Sequence, residues 1–120
     1  MLEPAARIAE RLDATLVNMR FVKPLDEALV LDLAARHRAF LTLEENATQG
    51  GAGSAVAELL VAEGLALPLL QIGIPDRFIE HGSRDSCLAA AGLDAQSLAA
   101  TVERWWSLQP HERIRSVGSA

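Results

Sequence analysis

The sequence predicts an α/β fold in which helices flank a parallel sheet. Near-continuous apolar runs at residues 16–22 and 39–44 are typical of strands that are buried on both faces of such a sheet. Segments with apolar residues at helical spacing separate these runs. The second run leads through a polar loop into a glycine cluster that begins an apolar helix, which is the strand–loop–helix unit of an α/β sheet.

The first elements follow from local signals. Residues 3–13 carry apolar side chains at helical spacing, and Pro4 suits the first turn of a helix. The predicted strand at 16–22 ends before Pro24, because proline cannot donate to a strand ladder. Asp26 is the predicted N-cap of the second helix.

The rest of the chain continues the alternation of strands and helices. The remaining predicted elements are a strand at 39–44, a helix at 52–63, a strand at 67–74, and two helices that begin after Ser83 and Asp94. Residues 109–120 are polar and lack any period, so we expect a disordered tail there. The predicted domain therefore covers residues 1–108.

Composition limits the classes of protein to which the chain can belong. Its 120 residues suit one domain, and a net charge of −5 with scattered cationic residues argues against a nucleic-acid surface. Cys87 is the only cysteine, which excludes an internal disulfide and favours a reducing compartment. We see no signal peptide and no apolar run long enough to span a membrane. We therefore expect a cytoplasmic protein.

The glycine cluster matches neither of two known nucleotide-binding motifs in full. Gly51 and Gly53 begin a G-x-G-x-x-G pattern, but Val56 stands where the third glycine would be, which argues against a dinucleotide site. No Gly-Lys-Ser/Thr follows, so the cluster is not a P-loop. The unpaired N–H groups at this helix start could still accept an anion, either a phosphate or a nearby carboxylate.

Two adjacent carboxylates, Glu44 and Glu45, follow the second apolar run. Neighbouring residues of a strand point to opposite faces, so at most one of them faces the helix start. We favour a capping or interface role over acid–base chemistry, because helix N-termini attract negative charge.

No other constellation predicts chemistry. His37, His81 and His111 lack metal-ligand spacing with one another and with Cys87. Neither a Ser-His-Asp nor a Cys-His arrangement is indicated, and Cys87 suits a small buried apolar position on a short helix. From its residues we predict no catalytic, cofactor-binding or metal-binding side chain.

Four motifs together indicate a family. They are MRFVKPLD at 19–26, EENA at 44–47, GGAGS at 50–54 and GIPDRFI at 73–79. In this combination the chain closely resembles the C-terminal domain of the 1-deoxy-D-xylulose-5-phosphate synthases, a transketolase-like family of thiamine diphosphate enzymes. The likeness covers residues 2–106, nearly the whole chain.

The resemblance implies a parent transferase that decarboxylates pyruvate and joins the two-carbon unit to glyceraldehyde 3-phosphate. Its product feeds isoprenoid (terpenoid), thiamine and pyridoxal synthesis, and the enzyme is a cytoplasmic homodimer with thiamine diphosphate and Mg²⁺. In this family the cofactor, the metal and the catalytic residues belong to the preceding domains, so no catalytic or cofactor residue carries over. The positions that do carry over form a domain-packing loop, with Glu44, Glu45, Asn46, Gly50, Gly51 and Gly53.

The resemblance also implies a fold, a three-layer α/β sandwich of the transketolase C-terminal type. The family's sheet has five strands, and the chain is expected to lack the first two, which leaves about three parallel strands. One missing strand belongs between residues 16–22 and 39–44, so we expect an edge-paired or strand-exchanged oligomer, or a loosely packed monomer.

Two functions follow from these observations. The first is a non-catalytic domain fragment of the synthase that serves domain packing and dimer support. The alternative is a stand-alone regulatory module that binds a phosphate or nucleotide at the helix start of residues 50–54. The resemblance favours the first function, and the free N–H groups of the helix start keep the second one open.

Overall fold

A computed structural model describes residues 1–110 as five helices and a two-stranded parallel sheet. Residues 111–120, which make up most of the predicted tail at 109–120, lie outside the described part. In chain order the elements are α1 (Leu2–Leu12), α2 (Glu27–Arg36), β1 (Phe40–Ala47), α3 (Ala52–Ala62), β2 (Leu69–Ile74), α4 (Arg84–Ala91) and α5 (Ala95–Ser107).

The sheet consists of β1 and β2. Their register runs from Phe40 opposite Leu69 to Leu43 opposite Ile72, and the Phe40 N–H donates to the Pro68 carbonyl over 2.8 Å. The pairing is then interrupted and resumes with Ala47 opposite Ile74. Two of the predicted strands are therefore present and parallel.

The predicted strand at 16–22 is wrong. Residues 14–21 have no regular secondary structure, and the sheet of the described chain contains two strands rather than about three. An apolar run becomes a strand only when a neighbour pairs its backbone groups, and this segment has no such neighbour within residues 1–110. Phe21 accordingly leaves 68% of its surface exposed.

Other contacts hold this segment to the domain. The Thr15 hydroxyl and the His37 ring are joined by a hydrogen bond of 2.9 Å, and Met19 packs against the buried residues of α2 and α3. The segment is thus attached through side chains while its backbone stays outside the sheet.

The sheet has an apolar core on each face, so helices, sheet and helices form three layers. Successive strand residues face opposite sides, and Phe40 lies in one core while Leu41 lies in the other. The buried members of the first core come from α2 and α3: Val30, Val56, Leu59 and Leu60. Those of the second are Ile72, Leu93, Leu98 and Val102.

One edge of β1 is open. The Phe40 N–H points toward β2, and backbone groups alternate in direction along a strand, so those of Leu41 and Leu43 face the other edge. No strand of the described chain pairs there. A two-stranded sheet is marginal by itself, and here the two cores stabilise it.

We expect the amides of Leu41 and Leu43 to exchange with solvent faster than those of Phe40 and Thr42 in a dilute sample. Only the latter pair points toward β2. Hydrogen exchange followed by NMR measures this difference. Protection of Leu41 and Leu43 that grows with protein concentration would indicate edge pairing between copies, and equal protection in a dilute monomer would contradict an open edge.

The N-cap of α5 makes stability depend on pH. The Asp94 carboxylate accepts the Ser97 N–H over 3.0 Å. Hydrogen bonds from the side chain and then the backbone of Ser97 hold the pKa of Asp94 below its ordinary value. A carboxyl group whose pKa is lowered on folding adds stability above its unfolded pKa, and this is lost as pH falls through the folded pKa.

We therefore expect the Asp94→Asn variant, which retains a good N-cap residue, to lose part of this pH dependence. The difference in unfolding free energy between wild type and variant should grow as pH rises through the acidic range. Urea unfolding at several pH values measures it. A difference that is independent of pH would contradict the lowered pKa.

Candidate functional site

The candidate site is the corner formed by residues 44–54 and the neighbouring end of β2. It begins with a bulge in β1. Four positions separate Leu43 from Ala47, whereas only two separate their partners Ile72 and Ile74. A Cβ atom on Gly73 would lie 2.7 Å from the Asn46 carbonyl oxygen, so the bulge requires glycine at position 73.

Glu44 closes the N-terminus of α3. Its Oε1 accepts the Ala52 N–H over 3.0 Å and its Oε2 accepts the Gly53 N–H over 2.8 Å. The first N–H groups of a helix have no partner within the helix, and the N-cap residue Gly51 has no side chain to offer. The predicted capping role therefore belongs to Glu44, whose carboxylate also stabilises the positive end of the helix dipole.

Gly51 and Gly53 are needed for space rather than for backbone freedom. A Cβ atom on Gly51 would lie 2.0 Å from the Glu44 Oε1. One on Gly53 would lie 2.5 Å from the Thr42 hydroxyl. Gly50 differs, because its φ of +74° is the left-handed conformation that favours glycine.

The loop between Glu44 and α3 is held together by Thr48 and Ser54. The Ser54 hydroxyl donates to the Thr48 carbonyl over 2.8 Å and accepts the Gly50 N–H over 3.0 Å. The backbone N–H of Thr48 donates to the Ile74 carbonyl over 3.2 Å. No local pattern in the sequence predicts these roles of Thr48 and Ser54, because both depend on the folded path of the loop.

Glu45 points away from α3. Its carboxylate accepts from the Arg84 guanidinium over 2.5 Å and lies 3.6 Å from the amino group of Met1. The Glu45 side chain is one-third exposed, and its ion pair with Arg84 connects the corner to α4. The next residue, Asn46, is exposed. The structure thus gathers Glu44, Gly51 and Gly53 and leaves Glu45 and Asn46 on the surface.

One polar atom beneath the corner is buried without a partner in the described chain, the hydroxyl oxygen of Thr42. Thr42 lies opposite Gln71 in the sheet and under Gly53. A buried hydroxyl without a hydrogen bond destabilises the folded state. The close packing of α3 on the sheet, which buries the Thr42 hydroxyl, therefore lowers the free energy of unfolding.

The corner contains no set of metal ligands. Within residues 1–110, no group of three or more His, Cys, Asp or Glu side chains is placed to hold a metal ion. His37 is engaged with Thr15 and with the Leu33 carbonyl, 3.0 Å from its Nδ1. Cys87 lies on α4, where its thiol donates to the Glu80 carbonyl over 3.6 Å. His111 lies outside the described residues.

None of the helices within residues 1–110 is both long and apolar enough to cross a bilayer.

Comparison with known families identifies the domain. The family model described as "Transketolase, C-terminal domain" matches residues 1–98. The chain belongs to this family. The resemblance predicted from its motifs is confirmed.

Curated members of the family are much longer than this chain. The 1-deoxy-D-xylulose-5-phosphate synthase of Ralstonia nicotianae is 54% identical over 110 residues, which are 92% of this chain and 17% of that enzyme. The synthase of Thioalkalivibrio sulfidiphilus is 59% identical over 102 residues, or 85% of this chain and 16% of the relative. The chain thus spans about one-sixth of the length of these relatives.

A solved structure supports the fold. The chain named "Split gene transketolase, inactive beta4 tetramer" superimposes with a TM-score of 0.76 at 32% identity, covering 89% of this chain and 36% of that one. The arrangement of helices around the sheet is therefore that of a transketolase C-terminal domain. The sheet of the described chain has two strands, against about three expected from the resemblance.

We expect the effects of Gly51→Ala and Glu44→Ala on stability to be less than additive. The methyl group at position 51 meets the Glu44 carboxylate, so removal of the carboxylate relieves part of the clash. The coupling energy should be about 0.5–3 kcal/mol, the range for residues in contact. Urea unfolding of the two single variants and the double variant measures this energy, and strictly additive losses would contradict the contact.

We expect Thr42→Val to leave the domain as stable as wild type or to stabilise it. The substitution keeps the volume of the side chain and removes the unpaired hydroxyl, whose burial costs about 1–3 kcal/mol. Thr42→Ala, which leaves a cavity, is the matched control and should destabilise. Loss of stability in the valine variant would show that the hydroxyl has a hydrogen-bond partner.

Proposed function

We propose that this chain acts as the non-catalytic C-terminal domain of a 1-deoxy-D-xylulose-5-phosphate synthase. In this role it packs against the parts of the cytoplasmic enzyme that hold thiamine diphosphate and Mg²⁺ and supports a homodimer. The parent reaction, which joins pyruvate-derived carbon to glyceraldehyde 3-phosphate at the start of isoprenoid synthesis, would depend on residues outside this chain. Identity above 50% with synthases over most of the chain supports the proposal.

The residues of the corner do not fit a thiamine diphosphate–Mg²⁺ site. Glu44 is the half-buried carboxylate there, and both of its oxygens accept N–H groups of α3. Glu45 is paired with Arg84 on the other side. The corner therefore has neither a free carboxylate pair for the metal nor a free helix start for the diphosphate.

The same observation weighs against the alternative, a regulatory module that binds a phosphate or nucleotide at residues 50–54. An anion at this helix start would have to displace the Glu44 carboxylate and would be repelled by it. A closed and internally bonded corner suits a rigid packing surface better than a ligand site. The geometry therefore favours the packing function.

Exposed apolar surface supports a role in assembly. Phe21 leaves 68% of its surface exposed, Leu16, Val17 and Val22 leave 40–43% exposed, and one edge of β1 is unpaired within residues 1–110. Such surface is rarely left uncovered in soluble proteins. The structural relative is named as a tetramer, and we propose that this chain likewise works within an assembly.

A chimeric enzyme tests the proposed function. The region of the Ralstonia nicotianae synthase that matches this chain is replaced by the 120 residues of the chain, and a deletion of that region is the control. We expect the chimera to form a dimer and to make deoxyxylulose phosphate, and the deletion to lose assembly. A chimera that behaves like the deletion would overturn the proposal.

Binding experiments with the chain alone separate the two candidate functions. We expect no heat of binding in calorimetric titrations with thiamine diphosphate and Mg²⁺, or with inorganic phosphate. Micromolar binding of the cofactor would contradict a packing domain. Binding of phosphate that is lost when a residue of the 50–54 loop is changed would favour the regulatory module.

A further inference from the structure

The loop that follows β2 exposes an aromatic side chain completely. Residues 75–83 form no helix or strand, and Phe78 is 102% exposed, the largest fraction among the large apolar side chains of the described chain. A phenylalanine in contact with water on all sides adds nothing to the core of the domain. Aromatic anchors of this kind are enriched at the centres of protein interfaces.

Contacts on both sides of Phe78 fix the loop. The Arg77 guanidinium donates to the Ala90 carbonyl at the end of α4, and the Cys87 thiol donates to the Glu80 carbonyl. Gly82 lies so close to α4 that a Cβ atom there would be 2.5 Å from the Ser86 hydroxyl oxygen. The loop is therefore ordered before any partner binds, which lowers the entropic cost of docking.

The charges around Phe78 indicate the chemistry of its partner. Asp76 and Glu80 flank it and are exposed, and no cation within residues 1–110 forms an ion pair with either of them. The adjacent cation, Arg77, is directed to the Ala90 carbonyl of α4. An apolar anchor with an acidic rim is complementary to an apolar pocket with a cationic rim.

The position of the loop indicates where that pocket lies. In a parallel sheet the carboxyl ends of all strands lie at the same end of the sheet. The loop after β2 and the corner after β1 therefore lie at the same end. The corner is the proposed packing surface, and the curated relatives extend over more than four-fifths of their length outside the matched region.

We propose that Phe78 docks into an apolar pocket with a cationic rim on the part of the full-length synthase that lies outside the matched region. The inference rests on the proposed function and adds to it the residue that anchors the domain. It requires that Phe78 contributes to the stability of the assembled enzyme and not to the folding of the chain alone.

The test compares Phe78→Ser with Val61→Ser in the chimera and in the chain alone. Val61 is the matched control, because it is 78% exposed on α3. We expect Phe78→Ser to lower the melting temperature of the chimera by about 1–2 °C, because the shift produced by a given loss of free energy falls with chain length, and to leave that of the chain unchanged. Val61→Ser should change neither, and Phe78→Leu should restore most of the loss.

Four results would overturn the inference. A chimera that assembles and is unaffected by Phe78→Ser would reject the anchor while the proposed function stands. A Phe78→Ser variant that also destabilises the chain alone would show a role in folding, and loss of self-association of the chain would show that a second copy covers Phe78. Failure of the unsubstituted chimera to assemble would reject both proposals.

Discussion

The pair of hydrogen bonds from the α3 N-terminus to the Glu44 carboxylate organises the corner of this domain. Glu44 lies on the same face of β1 as Thr42, toward α3, and Gly73 leaves room both for the Glu44 side chain and for the bulge. Gly51 leaves the space that the carboxylate occupies. These features depend on one another, because each is a condition for placing a charged side chain at a helix start that has no capping side chain of its own.

This interaction also explains why the glycine-rich helix start of this chain need not be a ligand site. Such a start attracts an anion, and here the chain supplies the anion itself. The adjacent Glu45 connects the opposite side of the strand to Arg84. Two neighbouring carboxylates that look like a reactive pair in the sequence are thus separated by the strand and serve two structural contacts.

Local signals predicted much of the fold. Asp26, Ser83 and Asp94 cap helices as their positions indicated, because a cap involves residues only a few positions apart. The segment 16–22 failed as a strand, because pairing depends on a distant neighbour that no local pattern reveals. Gly73 was missed as part of the corner for the same reason, since its role is set by Asn46 across the sheet.

Hydrogen exchange at the start of α3 measures whether Glu44 caps this helix. First-turn amides of a helix are normally unprotected, but those of Ala52 and Gly53 are bonded to Glu44. We expect Glu44→Ala to speed their exchange about tenfold or more, since a hydrogen bond to a charged group contributes about 1.5–3 kcal/mol. Glu45→Ala should leave their exchange unchanged. Equal rates in wild type and Glu44→Ala would show that the Glu44 carboxylate does not cap α3.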